Sequence, residues 1–193
     1  MDLRPEILTH PNIPKPLHGL NPRTILGKEW WDAARFEAQR KTDYHCIACG
    51  VHKSEAKKHQ WLEGHEFFDI NYQTGVCEVK EIVPLCHYCH NFIHSGRLYM
   101  TSGKDKSYDE VKEILQHGFR ILSDNNLKCF EGTALVTRKL NRMLRAKIQM
   151  FGVEPYFADL NPDLKWTDYK LLLDGKFYGS KFRSFEEWEK KYR

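Results

Sequence analysis

The sequence predicts an α+β fold on three observations. Two Cys-x-x-Cys knuckles, Cys46/Cys49 and Cys86/Cys89, enclose two segments of β character. Amphipathic helical patterns flank that region on both sides. Near the C-terminus, YKLLLDGKFYGSKF sets an Asp174-Gly175 pair between two strand-like runs, a strong short-range hairpin signal.

The elements follow in chain order. Residues 1–27 hold Pro5, Pro11, Pro14, Pro16 and Pro22, five of the eight prolines. Fixed φ and missing N–H donors argue against regular structure there, so an extended arm is expected. Its apolar residues, among them Ile7, Leu8, Leu17 and Leu20, mark it as packed on the body. Residues 28–41, KEWWDAARFEAQRK, predict a helix, with Trp30, Ala33, Ala34 and Ala38 at helical spacing. Residues 57–70 and 76–85 predict two strands joined at NYQTG. Cys77, Val79 and Val83 share one face of the second strand with Glu81. HYCHNFIHS predicts a short helix ended by Gly96 at its C′ position. A helix over 107–123 opens with Ser107 and Glu110 in capping-box spacing. Another covers 133–150, with Val136, Leu140, Met143, Leu144 and Ile148 as its buried stripe. After the C-terminal hairpin a last helix starts at Ser184, with Glu187 in the same capping relation. Three regions result: 1–43, an arm and helix packed on the core; 44–98, the core itself; and 99–193, a helical extension with the C-terminal hairpin and helix. Together they are expected to form one compact domain.

Composition excludes several classes. Apolar residues at 41% and charged residues at 29% are inconsistent with a disordered chain. No apolar run approaches the roughly 20 residues of a membrane span. The N-terminus MDLRPEILTHPNIPKP lacks the layout of a secretory signal. The expected location is therefore the cytoplasm, of a cell or a phage-infected cell, with no membrane partner. There, paired cysteines serve as metal ligands more readily than as disulfides. Net charge is +4 and uneven: residues 43–94 carry four basic and seven acidic groups, and residues 95–150 carry eleven and six.

The two knuckles stand 36 residues apart. In each, two thiolates three positions apart can bind one ion, and two such turns complete a tetrahedral four-sulfur zinc site. Four thiolates leave no open coordination position, so this Zn2+ is structural. Cys77 and Cys129 are single and read as core residues.

With Cys86 and Cys89 assigned, LCHYCHNFIH still holds His87, His90 and His94. His90 and His94, at i and i+4, share one helix face and form half of a divalent-metal site. His87 points elsewhere and reads as solvated or capping. The remaining ligand is sought on the preceding strand, at His65 or Glu66.

CxxCG, a histidine-bearing strand and IVPLCHYCHNFIH together resemble the HNH endonucleases, the zinc-bearing branch of the ββα-metal (His-Me finger) nucleases. The resemblance spans about residues 44–98. It implies a zinc-braced ββα-metal core, here with flanking helices, an N-terminal Pro-rich arm and a C-terminal β-hairpin plus helix. It also implies hydrolysis of phosphodiester bonds in DNA with a second, catalytic cation, Mg2+ or another divalent metal. His90 matches the helix metal ligand and His94 the second helix ligand of CHxxxH members. Where the family shows HH or DH on the strand, this chain has His65-Glu66 preceded by Gly64. Two assignments stay open: His65 as third ligand with Glu66 as base, or His65 as base. The alternative function is a decayed HNH-like zinc protein that binds protein or nucleic acid. For DNA contacts the candidates are Arg97, beside the ligand helix, and Arg138, Lys139, Arg142 and Arg145 on the 133–150 helix. The Pro-rich arm is a candidate surface for a protein partner.

Overall fold

A computed structural model describes residues 2–192. Among them are six α-helices and one four-stranded sheet of order β1-β2-β3-β4. The chain divides into two compact units built from interleaved segments. The first comprises residues 2–12, 39–65 and 84–157, and the second 13–38, 66–83 and 158–192. Among the described residues no helix is long and apolar enough to cross a membrane.

Local signals placed most elements of the first unit. Strand β1 (Glu63–Asn71) and strand β2 (Val76–Leu85) form the expected hairpin, each shared with the second unit. β1 starts six residues later than the pattern suggested. Helix α2 (His87–Ile93) follows at once, with the Cys86 sulfur accepting the Cys89 N–H at its first turn. Gly96 does not end it. The chain turns at His94 (φ −83°, ψ 41°) and continues as α3 (Ser95–Thr101), with Gly96 inside the new helix. Helix α4 (Tyr108–Asp124) is capped by Ser107, whose hydroxyl accepts the Glu110 N–H at 3.2 Å. The Glu110 carboxylate does not complete a capping box; it pairs with Lys58 at 3.0 Å and Lys106 at 3.5 Å.

Helix α5 (Glu131–Leu144) is shorter than expected and buries a different stripe: Thr133, Ala134, Thr137 and Leu140. Met143 is exposed. Two threonines can face inward because each is satisfied. Thr137 donates to the Thr133 carbonyl at 2.8 Å, and Thr133 meets Ser95 of α3 at 3.2 Å. Arg145 adopts the left-handed conformation and ends the helix. Ile148 is buried beyond that end, its backbone N–H and C=O both bound by the Asn141 amide.

The arm is more regular than an extended segment. A 3₁₀ turn over Pro5–Thr9 buries Ile7 and Leu8. It packs on α2 and α4, and Arg4 N–H donates to the Ile47 carbonyl at 2.8 Å. Deeper in this unit, Phe92 of α2 and Phe119 of α4 meet edge to face at 5.2 Å, both fully buried. Gly118, in the middle of α4, is what admits that ring: a Cβ there would collide with Phe92.

Helix α1 (Pro22–Lys41), which belongs to the second unit up to Ala38, begins six residues before the expected segment and is broken at Gly27 (φ 88°). The predicted 28–41 stretch is its longer piece. Asn21 caps the start, its side chain accepting the Thr24 N–H at 2.9 Å. Trp30 is partly exposed. Strands β3 (Lys170–Leu173) and β4 (Lys176–Gly179) form the foreseen hairpin. Asp174 and Gly175 both take positive φ, 50° and 71°, as a two-residue primed turn requires. A lone hairpin is marginal in water, and β3 gains a partner by pairing parallel to β2, with Cys77 opposite Leu171. Leu17, Leu20, Cys77 and Leu171 form the core of this unit.

Helix α6 (Phe185–Tyr192) packs through Trp188, whose indole N–H donates to His18 Nδ1 at 3.0 Å. His18 Nε2–H donates in turn to the Ile13 carbonyl at 3.2 Å. Both bonds require a neutral ring, and burial, with Lys15 nearby, lowers its pKa from the ordinary 6.5.

Two predictions follow from this packing. Gly118→Ala gains helix propensity but forces Phe92 aside, so a net loss of about 1–3 kcal/mol in denaturant unfolding is expected. The His18 bonds contribute fully above pH 6.5 and fade as pH falls below it, because the folded-state pKa is depressed. The stability gap between the native protein and His18→Leu should therefore narrow between pH 7 and pH 5 in thermal melts.

Candidate metal centres

The first knuckle is a tight turn in which Gly50 N–H donates to the Cys46 carbonyl at 2.8 Å. Gly50 takes φ 75°, a conformation that favours glycine. Cys86 and Cys89 lie at the cap and first turn of α2. The four sulfurs all fall within 4.8 Å of one another. Cys49 and Cys86 Sγ stand 3.8 Å apart, the edge of a tetrahedron with Zn–S bonds of about 2.3 Å. All six cysteines are free thiols.

The electrostatics favour a cation. Hydrogen bonds from Cys49, Cys86 and Cys89 hold the Cys46 thiol well below its ordinary pKa. Hydrogen bonds with Cys46, Cys49 and Cys86, together with burial, push Cys89 well above it. Neighbouring thiols accept one negative charge and resist the next, and a divalent ion removes that conflict. The donor set thus fits a structural metal such as zinc. The His117 ring on α4 brings Nε2 to 3.4 Å from Cys89 Sγ, an N–H contact able to temper thiolate charge. Cys77 and Cys129 stand outside the cluster, and burial pushes their thiols up to about 12 and about 11.

A second cluster lies beside the first. His65 on β1, His90 on α2 and His94 at the end of α2 each offer one nitrogen, all within 4.8 Å. Ring centroids are 4.7 Å apart for His90–His94, 5.0 Å for His65–His94 and 5.4 Å for His65–His90. His65 is 2% exposed, and neither ring nitrogen has a hydrogen-bond partner among the described residues. Burying such a group unpaired costs about 1–3 kcal/mol. Burial holds the pKa of His65 well down and brings His94 to about 3, with His90 and Arg97 adding to the effect on His94. Neutral rings keep their lone pairs, which is the form a metal binds.

Glu63 organises this site. One carboxylate oxygen accepts from His90 Nδ1, which leaves Nε2 as the nitrogen of that ring able to ligate a metal. The other accepts from His87 Nδ1 at 2.7 Å. Burial acts to raise the Glu63 pKa, but these two donors outweigh it and hold the carboxyl well below the usual range. His87 is therefore neither solvated nor capping, as its sequence position had suggested. It is buried, with Lys106 Nζ donating to its Nε2 at 3.2 Å and Glu110 at 3.4 Å.

Glu66, next to His65 on β1, projects from the opposite face of the strand, as successive strand residues must. It is Glu63, two residues before His65 and on the same face, that meets His90. A cavity of about 270 Å³ opens over the cluster, lined by His90, His94, Arg97 and Lys106, with Asn91 and Thr101 at its wall. Arg138, Lys139, Arg142 and Arg145 are exposed on and just after α5 and do not line this cavity. The sequence reading thus missed Glu63, His87, His59 and His117. Only Glu63 carried a usable signal, its two-residue spacing from His65.

Comparison with protein families, with curated proteins and with solved structures finds no match for this chain.

Loss of one sulfur should disassemble the first centre. Cys46→Ser is expected to abolish the thiolate-to-metal absorption of the cobalt-loaded protein and to destabilise it by about 4 kcal/mol or more. Cys77→Ser, equally buried but outside the cluster, should keep the absorption.

Proposed function

We propose that the protein is a metal-dependent endonuclease of the HNH type that hydrolyses phosphodiester bonds in DNA. The observation that carries this reading is His65. A buried imidazole whose two nitrogens have no partner among the described residues, beside two more histidines, has its natural partner in a cation, and that cluster adjoins an open cavity lined by Arg97 and Lys106. Its place on the strand before a cysteine-clamped helix matches the ligand arrangement implied by the resemblance to HNH enzymes.

The donor set speaks to the ion. Three imidazoles suit zinc, nickel, cobalt or manganese better than Mg2+, which prefers oxygen ligands. When bound, such a cation supplies Lewis acidity toward a phosphate oxygen. The residues of the chain do the rest. Glu63 fixes the tautomer and orientation of His90. Arg97 and Lys106 offset phosphate charge at the cavity wall. His65, enclosed and absent from the cavity lining, suits the role of ligand better than that of base. The exposed cations of α5 and the basic balance of residues 95–150 supply non-specific attraction to a polyanion.

A second reading, a non-catalytic descendant that binds nucleic acid or protein, is favoured by one observation: Glu66, the expected partner of His65, is not among the cavity-lining residues. Plasmid nicking separates the two. Cleavage is expected with nickel, cobalt or manganese and less with magnesium, and His90→Ala should lower it by about a thousandfold or more. His65→Ala should lose the ion along with cleavage. Absence of nicking by metal-loaded protein, with DNA binding retained, would support the second reading instead.

A further inference from the structure

The same cavity holds a third convergence of ligand-type side chains. His59, Glu63 and His87 each offer one atom, all within 4.8 Å of one another. His59 lies in the loop before β1. Its ring is stacked flat on Trp61, with centroids 4.0 Å apart and planes at 8°, and its other contact is the His87 ring at 4.6 Å, nearly perpendicular. The plane of His59 is thus fixed by an indole, with His87 against it, and both histidines line the cavity.

We propose that His59, Glu63 and His87 bind a second exchangeable divalent cation, of the zinc class, beside the one held by His65, His90 and His94. The donor chemistry is two imidazoles and one carboxylate with an open side, the ligand set of zinc sites that keep a position for water or substrate. In this structure the Nδ1 proton of His87 bridges to Glu63 over 2.7 Å. A cation takes the place of that proton. His87 then carries its hydrogen on Nε2, and Glu110 stands 3.4 Å from that nitrogen, ready to accept it. That completes the carboxylate–histidine–metal arrangement that orients such ligands. Lys106, now 3.2 Å from Nε2, retains Glu110 as its counter-ion. Asp105, also on the cavity wall, adds negative charge.

Glu63 ties the two cations together. One oxygen ligates the second ion while the other holds His90 of the first. Occupancy of the two sites is therefore coupled, and both ions address one cavity. This site stands independently of the nuclease reading, since it is defined by binding and not by cleavage.

The test is zinc stoichiometry of the full chain by elemental analysis after equilibration with buffered zinc. The native chain is expected to carry one equivalent more than His59→Gln, and His59→Gln one more than the His59→Gln/His94→Ala double variant. Glutamine keeps a planar group against Trp61 and is a poor zinc ligand, so the loop is preserved. Unchanged thiolate absorption of the cobalt form reports that the cysteine centre, and with it the unit, is intact. Should His59→Gln unfold, zinc-edge anomalous diffraction from the native protein decides: density between His59 and His87 supports the site, and its absence there in zinc-equilibrated crystals overturns it. Equal zinc content in the native chain and folded His59→Gln also overturns it.

Discussion

One constraint governs the rest of the first unit: four sulfurs from two distant knuckles must meet. The Cys46–Cys49 turn lies before the β1–β2 hairpin, and Cys86 and Cys89 occupy the first turn of the helix after it. Bringing them together fixes where α2 begins and how it is rotated. His90 adjoins Cys89, and His94 lies one turn on, so their directions follow from the sulfur geometry. The histidine cluster is in that sense a consequence of the cysteine cluster. Clustered thiols oppose multiple ionisation, and a bound cation would remove that opposition and add its binding free energy to the stability of the fold.

The second centre places its functional potential in a buried polar network. His65 is enclosed with both nitrogens unpartnered among the described residues. Around it, Glu63 accepts from two imidazoles, and His87 links that carboxylate to Lys106 and Glu110. Such a network is costly when incomplete and rigid when complete. Among the described residues its fully buried incomplete member is His65, which a cation would satisfy. Helix α2, which carries His90, is also held by apolar packing, with Phe92 filling the space left by Gly118 of α4.

Several local signals in the sequence lie where their patterns put them, whereas the long-range pairing left none. Strand β2, the Ser107 cap and the Asp174-Gly175 turn depend on neighbours in the chain, and each lies where its pattern put it. The parallel pairing of β2 with β3 joins residues nearly a hundred positions apart and left no local trace. Gly96 was misread because glycine stops a helix only where positive φ is needed, and here the chain turns at His94 instead. The buried stripe of α5 was misread because Thr133 and Thr137 look polar in sequence, whereas their hydroxyls are satisfied within the fold. At the site, the cysteine and histidine spacings were legible. Glu66 stood out because it follows His65 as the second member of the HH or DH pair does in HNH enzymes, whereas strand periodicity, which decides which side chains share a face, points to Glu63.

The central claim is that the cysteine clamp orients three imidazoles onto a cation. X-ray absorption at the edge of nickel, added to protein whose cysteine site already holds zinc, examines that claim directly. The account predicts a nickel shell dominated by nitrogen, with imidazole scattering at about 2.0–2.1 Å that is lost in His65→Ala. A nickel shell of water oxygens alone, or one unchanged by His65→Ala, would contradict it.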